Sequence, residues 1–280
     1  MEHVVNEWTG IMSAADELLL PSSECMSEDD RTPVASRGIR LGWLYNFVAT
    51  IDQAIGGAWK VYAGYRQREK WENIPSINPP PYSEENIRTR ELVHQFVIPL
   101  TAELRKPLYV RIPKTARGTP TLFVSHTWNS AAVAGGHASL DLILDAHRDD
   151  YVWIDFGCYN QHEVESIATD MRSVIASIGA VAFALTTEPF FSRSWCLWEI
   201  LCAHQNNCRI KVYDQKNRIK YKYFTSERDK MPPDFSSISS LQATHERDQK
   251  AIYDAIIAEF KSVEKADLYI KDMLAAHVSA

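Results

Sequence analysis

The chain of 280 residues contains no G-x-G-x-x-G, no Walker loop, no H-E-x-x-H and no C-x-x-C. These absences set aside Rossmann-type dinucleotide binding, P-loop phosphate binding, zincin chemistry and a thioredoxin-like redox pair. Cysteine is sparse, at Cys25, Cys158, Cys196, Cys202 and Cys208. No disulfide framework or signal-peptide pattern is present, so a reducing, cytoplasmic setting is expected. Cys196, Cys202 and Cys208 lie six apart around His204. Six residues turn a helix through about 600°, so Cys196 and Cys202 face different ways and are expected as buried thiols, with no metal. Apolar runs are too short or too interrupted for a membrane span. A net charge of −6 argues against a chain built to coat nucleic acid.

Charge is also scarce in the middle of the chain. Residues 116–213 hold 16 of the 66 Asp, Glu, Lys and Arg residues, and Glu199 is the only acidic residue between Glu188 and Asp214. A charge-poor centre between charged flanks is expected to supply a buried sheet. Glu199 stands among Trp195, Cys196, Trp198 and Cys202 in a segment with helical character. A carboxyl group in such company is partnered, placed at a cleft, or used in chemistry.

The first 115 residues read as a mainly α-helical region. Residues 2–20 have one apolar helical face, and the acidic opposite face disfavours an anionic membrane. Residues 21–37 read as a loop. Residues 38–66 read as a buried helix weakened at Gly56-Gly57, and residues 84–104 as another helix. Between them, Pro79-Pro80-Pro81-Tyr82 reads as a stiff linker rather than a polyproline ligand. This region is expected to pack on the rest of the chain or to regulate it.

From residue 116 the pattern changes. Thr121–Ser125 and Tyr151–Asp155 are continuous apolar runs, as parallel strands covered on both faces require. Ala180–Leu185 reads as a third strand, and Arg209–Tyr213 alternates like an edge strand. Helices are expected at 137–148, at 162–178 with Gly179 as its cap, and after Ser192. Two further helices close the chain. Asp141, Asp145 and Asp149 read as a solvated face, and the basic cluster of Lys216, Arg218, Lys220 and Lys222 as a solvated loop, because residues 214–280 carry 11 basic and 11 acidic residues.

Alternating strands and helices imply an α/β fold with a central parallel sheet. Ligands of such sheets bind outside the carboxyl ends of the strands. Three segments meet there: His126–Trp128, Asp155–Gln161, and Thr186–Pro189 leading into the Glu199 helix. Ser125 and His126 are neighbours on a strand, point to opposite faces, and are set aside as a nucleophile–base pair. Cys158 and His162 have nothing in the sequence to orient them as a thiol pair.

Phe123-Val124-Ser125-His126-Thr127-Trp128, Val152-Trp153-Ile154-Asp155 and Trp195-Cys196-Leu197-Trp198-Glu199-Ile200 together resemble the Toll/interleukin-1 receptor (TIR) domain family. The likeness is greater to microbial TIR-like NAD-cleaving members than to animal receptor adaptors. It covers roughly residues 118–262 and implies a flavodoxin-like TIR fold within a domain at 116–280, preceded by the helical region 1–115. Carried over residue by residue, it implies that Glu199 is catalytic in NAD+ cleavage. It places Trp195 at the base pocket and His126, Thr127 and Trp128 beside the nucleotide. Asp155 and Phe156 begin the BB loop, which in the family closes over the site or contacts the next subunit. Thr127 and Trp128 stand where some members have arginines, so the pyrophosphate contact is not carried over.

The resemblance implies an NAD+ hydrolase or cyclase activated by self-association, in a defence or cell-death signalling role. NAD+ is its substrate, and it needs no separate cofactor or metal. Breaking the nicotinamide–ribose bond develops oxocarbenium-like charge, which an ionised carboxylate in an aromatic-walled pocket stabilises. The alternative is a non-enzymatic TIR module that signals by homotypic assembly.

Overall fold

The computed structural model describes residues 10–25, 32–68, 86–133, 138–162, 167–186, 190–214, 235, 237–243 and 246–276. The Pro79–Tyr82 motif and the basic cluster at 216–222 lie outside these residues.

The sheet is built around two short, wholly buried strands. These are β3 (Leu122–Ser125) and β5 (Ala180–Leu185), in which every residue is buried. Burial at successive positions means that both faces are covered, which is why the runs are continuous rather than alternating. With β1 (Gly38–Arg40), β2 (Arg117–Gly118), β4 (Tyr151–Trp153) and β6 (Arg209–Asp214), they form one six-stranded sheet in the order β2-β1-β4-β3-β5-β6. The strands β4, β3, β5 and β6 run parallel, while β1 is antiparallel to both β2 and β4. The chain is therefore an α/β protein with a mixed, mostly parallel sheet. β6 lies at the sheet's edge, as its alternation suggests.

The longer helices among the described residues are α1 (Leu41–Arg68), α2 (Thr89–Leu100), α3 (Ser139–His147), α4 (Ile167–Ile178), α5 (Ser194–Gln205), α6 (Glu246–Phe260) and α7 (Val263–Ala276). Helix α2 runs through three pieces, Thr89–Leu92, a π turn at Val93–Val97, and Ile98–Leu100. Pro99 has no N–H to give the turn behind it, and the helix widens immediately before it. Gly179 ends α4 at φ +70°, a conformation that costs glycine little. α5 is followed by Asn207 at φ 53°, and the Cys208 N–H then bonds the Ala203 carbonyl at 2.9 Å.

The sheet crosses residue 115. β1 comes from the region expected to be helical, yet it sits between β2 and β4 with Ile39 opposite Val152. From α1, Leu44, Phe47, Val48 and Ile51 are fully buried in the same core as Phe123 and Val181. Arg37, also buried, donates from its guanidinium to the Cys158 carbonyl at 3.2 Å. The parallel strands reverse direction of winding at β3, whose neighbours are β4 and β5. The crevice beyond the ends of β3 and β5 is where such sheets place ligands.

Candidate functional site

β3 ends at Ser125, and the chain continues through His126, Thr127 and Trp128 across the carboxyl edge of the sheet. β4 ends at Trp153, and Asp155 opens a short helical turn, Asp155–Cys158. α5 presents Trp195 and Glu199 one helical turn apart. His126, Thr127, Trp128, Asp155, Trp195 and Glu199 all line one partly open cleft with a volume of about 160 Å³. Phe156 does not line it. That ring is fully buried and stands edge-on behind His126, with centroids 5.9 Å apart.

Glu199 is only 7% exposed. The Ser125 hydroxyl donates a hydrogen bond to its Oε2. Burial pushes the Glu199 carboxyl well above the ordinary carboxylate range, the Ser125 bond pulls it back, and the nearby Asp155 carboxylate adds to the rise. Burial thus shifts this carboxyl towards its neutral form. A cation arriving beside Glu199 acts in the opposite direction and favours the ionised form.

Asp155 organises the opposite part of the cleft. Its Oδ1 accepts the Phe156 N–H at 2.6 Å, and its Oδ2 accepts the Trp128 indole N–H at 2.6 Å. Its backbone carbonyl accepts from the Gln161 side chain at 2.9 Å. His126 Nε2 lies 3.8 Å from Asp155 Oδ1, too far for a hydrogen bond, and has no hydrogen-bond partner. Burial lowers the His126 pKa, and the Asp155 charge only partly opposes it, so the imidazole is held towards its neutral form. A buried ring nitrogen without a partner is a group available to a ligand.

Thr127 is fixed by a hydroxyl chain that runs from Thr127 to Ser130 and on to Thr186. Residues 128–132 are strapped to the start of α2. Arg90 N–H bonds the Trp128 carbonyl at 2.9 Å, and Thr89 N–H bonds the Ser130 carbonyl at 3.0 Å. Trp198 is the core member of its pair, 3% exposed, with the Arg172 guanidinium 4.8 Å from its ring centroid. Trp195 is the cleft member.

Several lining residues carry no signal in their own sequence neighbourhood. Val93, His94 and Ile98 of α2 line the cleft, as do Arg193, Gln242 and Asp248. Gln242 reaches the site because it bridges to Arg193, and its carbonyl accepts the Ser194 N–H at 2.8 Å. Asp248 accepts the Trp195 indole N–H at 3.3 Å. Cys158 and His162 do not pair. Burial pushes the Cys158 thiol up to about 12, and His162 Nε2 lies 2.9 Å from the Thr101 hydroxyl. No group of His, Cys, Asp and Glu among the described residues has the arrangement to hold a metal ion. The segment 187–189 and residues 163–166 lie outside the described residues.

Comparison of the chain with protein-family models, with curated proteins and with solved structures finds no match.

Proposed function

We propose that this chain is a TIR-type NAD+ hydrolase or cyclase that cleaves the nicotinamide–ribose bond, with Glu199 as its catalytic carboxylate. One observation carries this reading. A buried glutamate, held by a serine hydroxyl, faces an aromatic-lined cleft at the carboxyl edge of parallel strands. The parallel strands, numbered among themselves, follow the order 2-1-3-4, which suits a flavodoxin-like sheet with its ligand at the reversal point.

In the proposed reaction the positively charged nicotinamide ring enters beside Glu199 and draws its carboxyl into the ionised form. The nicotinamide then leaves with the bonding electron pair as a neutral base. The carboxylate stabilises the positive charge left on the ribose until water, or a nucleophilic atom of the same molecule, captures it. Trp195 supplies a ring face for the departing base. Arg193 is the one guanidinium among the described residues lining the cleft, and is assigned to the pyrophosphate in place of the arginines that Thr127 and Trp128 replace. Self-association and a signalling role in the cytoplasm belong to the same proposal. Among the described residues no helix is long and apolar enough to cross a membrane.

The second reading is a non-enzymatic module that signals by homotypic assembly. The cleft volume of about 160 Å³ favours it, being below the roughly 300–1,000 Å³ of most small-molecule sites. Nicotinamide release from NAD+, measured on concentrated protein by chromatography, separates the two. The enzyme reading expects turnover by the wild type and a loss of at least about 100-fold in Glu199→Gln. It fails if the assembled wild type releases no nicotinamide, or if the variant releases as much.

A further inference from the structure

Both tryptophans that line the cleft are tied by their one polar atom to a carboxylate. The Trp128 indole N–H donates to Asp155 at 2.6 Å and the Trp195 indole N–H to Asp248 at 3.3 Å. The two pairs come from four separate places in the chain: the end of β3, the end of β4, α5 and α6. An indole has a single donor and no acceptor, so this bond fixes the plane of the ring. Donation to an anion also enriches the face of the ring in electron density. That face is the one that attracts cations.

The charges around these rings favour the same ligand. Asp155 and Asp248 line the cleft with side chains 25% and 12% exposed, and Glu199 beside them gains its charge as a cation arrives. Facing them are Arg193, the exposed His94 edge-on to Trp128, and His126, which burial holds towards its neutral form. Arg247 Nε lies 3.9 Å from Asp248 Oδ1 and is not among the lining residues. The cleft is small enough for one ring with its substituents. His126 Nε2, with a side chain 3% exposed and no hydrogen-bond partner, is an independent sign that a polar group belongs there.

We propose that Asp155 and Asp248 set Trp128 and Trp195 as two walls of a site for a planar organic cation of the pyridinium class, and that His126 Nε2 takes the polar substituent of its ring. The inference rests on the NAD+ reading of the same cleft and assigns its selectivity to the two Trp–Asp pairs. A positively charged ring is retained and a neutral ring of the same shape is not.

The full chain is titrated with 1-methylnicotinamide and with its uncharged isostere 3-methylbenzamide, followed by tryptophan fluorescence and by calorimetry. The cation is expected to bind about tenfold or more tightly than the isostere, within the range two aromatic faces supply. Asp248→Asn, and separately Asp155→Asn, are expected to remove most of that preference. Equal affinity for the two probes, or no binding of either, overturns the proposal on the wild type alone, whatever the variants do. A preference unchanged in both variants overturns it as well. Nicotinamide release is read separately on the same preparations. Selective cation binding without turnover sinks the NAD+ reading and leaves this one standing, whereas turnover without cation preference does the reverse.

Discussion

Ser125 Oγ, the last side chain of β3, donates to Glu199 Oε2 on the second turn of α5, across 74 residues of sequence. The bond joins the end of a central strand to a carboxyl group that burial pushes well above its ordinary range. It opposes that push by favouring the ionised form. Asp155 acts in the other direction, as a like charge.

Removing the hydroxyl therefore moves Glu199 further above the carboxylate range. In Ser125→Ala the acid limb of the pH profile for nicotinamide release is expected to shift to higher pH, with Ser125→Thr restoring it. A profile that keeps its limb while activity falls uniformly would assign Ser125 to packing alone.

Stability carries the same signature with a definite sign. The folded-state pKa of Glu199 lies above its ordinary value of 4.5. Its contribution is then fully present below that value and is lost as pH rises through the folded pKa. Glu199→Gln stays neutral throughout. The variant is expected to match the wild type near pH 4 and to exceed it increasingly above, by about 1.4 kcal/mol for each pH unit separating the folded and unfolded pKa values. Urea denaturation at several pH values measures this, and a constant difference between the two proteins would contradict it.

A chain beginning at residue 116 lacks β1. β4 then presents an unpaired edge, and the core loses Ile39, Leu44, Phe47 and Ile51, each fully buried. Such a truncation is expected to aggregate on expression. A monodisperse, folded product by size exclusion and circular dichroism would show that the N-terminal region is dispensable for the fold.

The β1–β2 pairing is close-fitting at Gly38. A Cβ there would stand 2.6 Å from the Gly118 carbonyl oxygen and 2.7 Å from Pro120 N, both backbone atoms. Gly38→Ala is expected to destabilise the protein by about 1–3 kcal/mol, as overpacking does, measured by denaturant midpoint at unchanged slope.

The parallel strands are written locally. Leu122–Ser125 and Ala180–Leu185 are buried at every position, and an unbroken apolar run records that burial directly. α4 and its Gly179 cap are equally local, because helical periodicity and a positive φ each act within a few residues. β1 is not. Three residues are too few to show a period of two, and Gly38–Arg40 is extended because β2 and β4 pair with it. The π turn of α2 likewise brings His94 to the cleft without a motif to announce it.

The site divides along the same line. Residue types and spacing single out Glu199, His126, Trp128 and Asp155, since a lone carboxyl in an apolar helix and polar groups after buried strands conflict with their surroundings, while the TIR resemblance is what implies a role for Trp195. The rule of opposite faces, which set Ser125 and His126 apart, holds only inside a strand, and His126 lies just beyond the end of β3. Ser125 consequently meets Glu199 while His126 lines the cleft. The contributions of α2, Gln242 and Asp248 depend on packing between distant elements. A local pattern records that a side chain is buried or polar. Which distant group it meets is set by how the helices and loops close over the sheet.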